Sequence, residues 1–205
     1  MYALNFIIVN DGSVNQDIQE QVKILLAKNI PINFISNSQN KGKGFALRAG
    51  VNESKANYII YTDIDFPFTN QSMQGLMNEL LTNKFDVVVG IRSDNYYQKK
   101  MSRFRKILSK SFRLFIRKFL NMKISDTQCG LKGFNLKGKE KFLQTTINRY
   151  LFDFEFIYSV SNDHQLNMAS YEVRLKDGVI FRKMPIKVLL QEAFNLLKIL
   201  LRQKN

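Results

Sequence analysis

Two carboxylates spaced i, i+2, Asp63 and Asp65, close an apolar run, Tyr58–Tyr61, in the stretch Tyr-Ile-Ile-Tyr-Thr-Asp-Ile-Asp-Phe-Pro-Phe of residues 58–68. In an extended chain this spacing puts both acids on one side, about 7 Å apart at ~3.3 Å per residue. Pro67 stops the strand from continuing. Acids at the carboxyl end of a buried strand are costly unless paired, hydrated or bound to a cation. Ligand sites of open α/β sheets lie at those strand ends. A hard divalent ion takes oxygen ligands there, commonly one or two protein carboxylates plus substrate phosphates. A solvated loop carries the same Asp-x-Asp pattern, so the pair depends on the rest of the chain for its meaning.

Further candidates are individually weak. Asn10-Asp11-Gly12-Ser13 reads as a turn, though behind a parallel strand Asp11 could hydrogen-bond a base or ribose. Gly42-Lys43-Gly44 opens a helix and resembles a phosphate cradle of backbone N–H groups plus a lysine. It is not a Walker A loop, because Gly44 stands where Ser or Thr should be. His164, the one histidine, suits a solvent-facing or packing role, and Cys129, without a nearby histidine, reads as buried. Asp153 and Glu155 read equally as exposed helix charges.

The elements that must position these residues alternate. Strands are expected at 2–9, 32–35, 57–62, 85–91 and 168–176, and helices at 17–28, 45–53, 71–81, 151–160 and 185–202. Gly133-Phe134 reads as a loop entering a strand. The alternation predicts an α/β protein with a doubly wound, mixed but mostly parallel sheet flanked by helices. A length of 205 residues fits one domain, 1–205, and 45% apolar with 23% charged residues fits a globular one. One cysteine excludes an internal disulfide framework. No signal peptide and no run long enough to cross a bilayer are read from the sequence.

A net charge of +14 points to a polyanionic partner: nucleic acid, an anionic membrane or phosphorylated substrates. Residues 95–125 carry ten Lys or Arg and no acid. Within them Phe104, Ile107, Leu108, Phe112, Phe115, Ile116 and Phe119 make an apolar helical stripe beside Lys106, Lys110, Arg113 and Arg117. Such a basic amphipathic helix suits a membrane interface; the competing arrangement packs it on the core with a solvated outer face. The closing helix is apolar apart from a narrow polar stripe, so it must be docked or laid on a membrane. Nucleic acid is not expected as partner, since no recognition motif accompanies the charge.

The order of the motifs is more telling than any one of them. Asn-Asp-Gly-Ser, Asn-x-Gly-Lys-Gly, Asp-x-Asp, Gly-x-Arg, Asp-Thr-Gln-Cys-Gly and Phe-Asp-x-Glu, in this sequence over residues 4–202, resemble glycosyltransferase family 2. Within it the chain looks most like the polyprenyl-phosphate hexosyltransferases, the dolichyl-phosphate glucosyltransferases among them. The resemblance implies a GT-A fold. It implies that Asp11 and Ser13 lie against the nucleotide, with Lys43 beside them. Asp63 and Asp65 match the pair holding Mg²⁺ or Mn²⁺ against the donor diphosphate. Arg92, Arg105, Ser109 and Gln128 match acceptor-phosphate positions. Asp126 matches the acceptor-side motif, and Asp153 and Glu155 fall where relatives with hydroxyl acceptors carry an acid; with Asp65 these are the catalytic candidates.

Two departures stand out against the family pattern. The family has one more strand and helix ahead of the first strand, so the domain reads as N-terminally short. The usual Asp-Asp-Gly-Ser is Asn10-Asp11-Gly12-Ser13 here. Both imply weak UDP binding by residues 1–205. The expectation is an inverting, metal-dependent transfer of a hexose, from UDP-glucose, to a polyprenyl phosphate by an enzyme peripheral to the cytoplasmic membrane face. The alternatives are transfer to a glycan hydroxyl in cell-surface polysaccharide synthesis and a non-catalytic membrane-binding relative.

Overall fold

The computed structural model describes residues 3–14, 16–92, 103–120, 122, 124, 126–178, 192, 195, 196 and 199–201. In chain order the elements are β1 (Phe6–Asp11), α1 (Gln16–Ala27), β2 (Ile32–Asn37), α2 (Lys43–Glu53), β3 (Tyr58–Tyr61) and α3 (Asn70–Leu81). There follow β4 (Val87–Arg92), α4 (Arg103–Phe119), β5 (Lys132–Asn135), α5 (Leu136–Leu143), α6 (Phe152–Ser161) and β6 (Met168–Val173). The α/β layering is as expected, with one helix more: α5 is eight residues long, with Asn135 as its N-cap accepting from Gly138 N–H.

The strands fall into two sheets. β1 and β2 pair in parallel, Phe6 opposite Ile32 and Asp11 opposite Asn37. The other four run in the order β3-β5-β4-β6. β5 is antiparallel to both its neighbours, and β4 and β6 are parallel. Among the described residues no ladder joins β1 to β3, so the mixed sheet comes in two pieces.

Period-2 alternation along β4 explains the core. Val87 and Val89 face one apolar cluster and Val88 the other, so a continuous valine run is covered on both sides. The first cluster is aromatic: Tyr61, Phe134, Phe142, Phe152 and Phe156 meet with ring centroids 5.0–6.4 Å apart. The second is closed by Leu76 and Leu80 of α3, whose N-cap Thr69 accepts from Ser72 N–H. Helix α2 bridges the two sheets. A Cβ on its Gly50 would stand 3.1 Å from Val9 Cγ2, so the helix lies close on β1, while Leu47 and Val51 join the cluster around Tyr61.

Helix α4 divides its stripes. Ile116 is buried, and Phe112 and Leu120 pack with it on the aromatic cluster. Ile107, Lys110, Leu114, Arg117 and Lys118 are exposed, and their spacing puts them on one face. Arg113, expected in the basic stripe, instead turns inward to Asp126 at 3.5 Å, because a half-buried guanidinium needs a counter-charge. The side chains of Phe104, Lys106, Leu108, Phe115 and Phe119 lie outside the described residues. Of the closing helix, Glu192 and Ile199 are buried and Leu196 packs on the core, which docks that part. No helix among the described residues is long and apolar enough to cross a membrane.

Candidate active site

The carboxyl ends of β1 and β3 and the start of α2 supply the first half of the site. Asp11 ends β1, and its carboxylate accepts from Asn37 Nδ2 (3.1 Å) and from the N–H groups of Lys41 (3.1 Å) and Gly42 (2.7 Å). It therefore fixes the loop that launches α2. Asn10 closes its own turn, accepting from Ser13 N–H at 3.0 Å and donating to Ser13 O and Ser36 Oγ. Ser13 itself is exposed. The loop is held from the far side as well. Gly44 N–H donates to Asn148 O at 2.8 Å, and a Cβ on Gly42, whose φ is 107°, would stand 2.4 Å from the same oxygen. The expected backbone cradle is thus corrected: the N–H groups of Gly42 and Gly44 are taken by Asp11 and Asn148, and what the loop still offers an anion is lysine charge, Lys43 among it.

Lys43 crosses to β3 and donates to Asp63 Oδ1. Burial works against its charge, but Asp153, Asp63 and Asp65 outweigh burial and hold the ammonium above its ordinary pKa. The other oxygen of Asp63 lies against Gly130, where an added Cβ would stand 2.3 Å from Oδ2. Asp65 follows on an exposed turn closed by Phe66 N–H to Asp63 O at 2.9 Å. It has no hydrogen-bond partner among the described residues. The pair is thus two hard oxygen donors at a strand end. Among the described residues no group of three acidic, histidine or cysteine side chains could hold a metal. Two carboxylates fit a divalent ion that completes its shell with phosphate oxygens and water.

The second half lies at the end of β4. Asp126 is buried and grips Arg92 three times, through Nη2 at 2.7 Å, Nε at 3.0 Å and the backbone N–H at 2.9 Å. Burial would raise its pKa, but Arg92 and then Arg113 overcome that and hold it below the usual carboxylate range. Thr127 beside it is buried, its Oγ1 without a hydrogen bond among the described atoms. Gln128 is exposed. Cys129 is buried, and burial pushes its thiol up to about 11, which leaves it unreactive. Arg105 and Ser109 belong to α4, but their side chains lie outside the described residues. His164 is exposed.

Asp153 and Glu155 are both buried at the start of α6. Asp153 Oδ1 accepts from Tyr61 OH and from Lys132 Nζ, each at 2.6 Å. Lys132 is fully enclosed and donates also to Cys129 O at 2.5 Å. Glu155 takes Thr146 N–H and Ile147 N–H at 2.8 Å each and Thr146 Oγ1 at 3.0 Å. Arg48 grips the same segment through Ile147 O at 2.9 Å and Thr145 Oγ1 at 3.2 Å. Neither acid is the exposed helix charge that its sequence context also allowed. Lys132, Tyr61 and Arg48 were not among the sequence candidates, and Arg113 was read only as part of the basic stripe. A lysine inside the otherwise apolar run Leu131–Phe134 was the one available signal.

The Glycosyl transferase family 2 model matches residues 2–142. The chain is 30% identical over 183 residues to a dolichyl-phosphate beta-glucosyltransferase of Dictyostelium discoideum, covering 84% of this chain and 54% of that one. It is 28% identical to the dolichyl-phosphate beta-glucosyltransferase ALG5C of Trichomonas vaginalis, covering 97% and 60%. The chain thus spans little more than half the length of these curated relatives. Mannosyl-3-phosphoglycerate synthase from Rubrobacter xylanophilus superposes with a TM-score of 0.65 at 13% identity, over 97% of this chain and 63% of that one. Glucosyl-3-phosphoglycerate synthase from Mycobacterium tuberculosis, solved with Mn²⁺, UDP-glucose and phosphoglyceric acid, does so with 0.58 at 14%, over 89% and 62%. These likenesses identify the fold as GT-A.

Proposed function

The chain belongs to glycosyl transferase family 2, and from that premise we propose that it transfers glucose from UDP-glucose to a polyprenyl phosphate at the cytoplasmic face of a membrane. The observation that carries this is the meeting of Lys43 and Asp63 at the end of β3, with Asp65 exposed beside them. Cation and carboxylates together suit a diphosphate. Mg²⁺ or Mn²⁺, held by Asp63 and Asp65, would neutralise the charge that builds on the leaving UDP. The relatives' names supply glucose and the lipid phosphate, and a solved neighbour of the same fold holds UDP-glucose with Mn²⁺.

In the reaction an acceptor phosphate oxygen attacks the anomeric carbon as the bond to UDP breaks. UDP leaves with the electron pair, and the configuration inverts. A phosphate monoester, with a second pKa near ~6, is largely ionised at neutral pH and needs no base. A glycan hydroxyl would need one. Both acids suited to that task are bound into the protein, Asp153 by Lys132 and Tyr61 and Glu155 by the 146–147 segment. That favours an acceptor already charged. Arg92 and Arg113, gathered on Asp126, would lie on the acceptor side, to which Arg105, Ser109 and Gln128 are also assigned. Asp11 and Ser13 are assigned to the nucleotide.

The test is transfer of labelled glucose from UDP-glucose to a short polyprenyl phosphate in detergent with Mn²⁺. Labelled lipid, abolished by EDTA, is the expected result. Transfer to an oligosaccharide but not to the lipid phosphate would move the acceptor to the hydroxyl class. Absence of both transfer and UDP release would leave a binding protein.

A further inference from the structure

Lys43 and a divalent ion ask for the same carboxylate. The Lys43 ammonium sits on Asp63 Oδ1, and the side chain is half-buried at the first position of α2. Oδ2 offers no easy escape, because the bare backbone of Gly130 is packed against it. A metal arriving alone would find Asp65 exposed but Asp63 already neutralised. It would also meet a unit positive charge within contact distance of its second ligand. At such separations like charges repel strongly in a partly desolvated site.

We propose that Lys43 is a placeholder cation that couples metal binding to donor binding. Without the donor its ammonium holds Asp63 and keeps metal affinity low. When a nucleoside diphosphate enters, its phosphate oxygens draw the ammonium off Asp63 and free that carboxylate for the metal. The inference rests on the assignment of Asp63 and Asp65 as metal ligands and adds the device that sets their availability. The anatomy suits a swing. Lys43 is held at its backbone by the clamped 42–44 loop, while its ammonium lies over the Phe152 ring, with Nζ 5.9 Å from the ring centroid. By linkage, metal must then tighten the diphosphate by the factor by which the diphosphate tightens metal.

The experiment measures Mn²⁺ binding by electron paramagnetic resonance, with and without saturating UDP, on the full chain. Four proteins are compared: wild type, Lys43→Met, Lys43→Arg and Lys41→Met. Lys41 is a neighbouring loop cation that lies over the Phe45 ring and makes no contact with Asp63. We expect Lys43→Met to bind Mn²⁺ alone about fivefold or more tighter than wild type and to lose at least that factor from the tightening by UDP. Lys43→Arg should keep the coupling, and Lys41→Met should shift Mn²⁺ affinity less than about twofold, since its charge is exposed and screened. Lys43→Met binding Mn²⁺ no tighter than wild type overturns the coupling, and so does an equal gain in Lys41→Met. Both leave the metal site standing if wild type binds Mn²⁺ with UDP. Wild type failing to bind Mn²⁺ even with UDP overturns the metal assignment and the coupling together. Melting curves of all four check that the Lys43 variants are folded when they are measured.

Discussion

Gly130 leaves no room for a methyl group between itself and the Asp63 carboxylate. The clash of Gly130→Ala would fall on the tip of a part-exposed side chain, which can move at little cost in stability but not without leaving its place. The variant should therefore keep its melting temperature within a few degrees and lose about 100-fold or more in glucose transfer. Asp65→Ala should do likewise, since Asp65 is exposed and supports nothing; a transfer rate near wild type in either variant would remove that residue from the site. Asp126 should behave in the opposite way. Asp126→Asn leaves buried Arg92 facing a neutral amide, at a cost of about 3 kcal/mol. Its folded-state pKa is depressed, so its contribution is complete above the unfolded value of about 3.9 and vanishes as pH falls through the lower folded value. Urea titrations of wild type and Asp126→Asn should differ fully at neutral pH and converge only in strong acid. A gap unchanged down to about pH 2 would contradict the linkage. At this scale the sequence showed that Asp63 and Asp65 follow the apolar run of β3, but not that the chain turns after Tyr61 and carries Asp65 on a turn rather than along the strand. It singled out Asp153 but was silent on its partner Lys132, because only the β3–β5 register, Tyr61 opposite Lys132, brings that lysine under α6.

Helix α4 shows what periodicity can and cannot decide. Its apolar stripe was visible in the sequence, but not that Phe112 and Ile116 would take the core while Ile107 and Leu114 stay outside with Lys110, Arg117 and Lys118. Either face alone satisfies a helical period. If the chain works at a membrane as proposed, the outer face, two aliphatic side chains among three cations, would meet the anionic leaflet, each cation worth about 1 kcal/mol there. Reversing Lys110, Arg117 and Lys118 to Glu should abolish flotation with anionic vesicles at low salt and leave the thermal midpoint nearly unchanged. Ile116→Ala should do the reverse, costing about 2–5 kcal/mol of stability while the vesicle binding persists. Arg113 does not belong in that charge reversal, because it answers Asp126. Failure of the wild-type chain to float with anionic vesicles would move the acceptor off the membrane. Helix α5 went unread for a simpler reason: eight residues with a glycine at the third give too short a period to register, although Asn135 was there as a cap.

Across the whole molecule the α/β alternation was plain from the sequence, and the division of its strands was not. Pairing partners are set by contacts distant in sequence, and four-residue β5 gave no local sign that it would run antiparallel between β3 and β4. The division has a consequence for how the molecule comes apart. β1 and β2 share hydrogen bonds only with each other among the described strands, and their apolar residues are half-covered or, at Phe6, exposed, whereas the three valines of β4 are fully enclosed. With few backbone ties to the larger sheet, residues 6–37 should open as a separate cooperative unit below the free energy of global unfolding. Amide exchange should show Ile7–Val9 and Phe34–Ile35 losing protection orders of magnitude faster than Val87–Val89, with a shallower dependence on denaturant. One exchange rate shared by both sheets would make them a single unit after all. Since Asp11 hangs from β1 and fixes the loop bearing Lys43, each such opening would also dismantle the proposed donor side. A nucleoside diphosphate that binds there should therefore slow exchange in β1 and β2 far more than in β4.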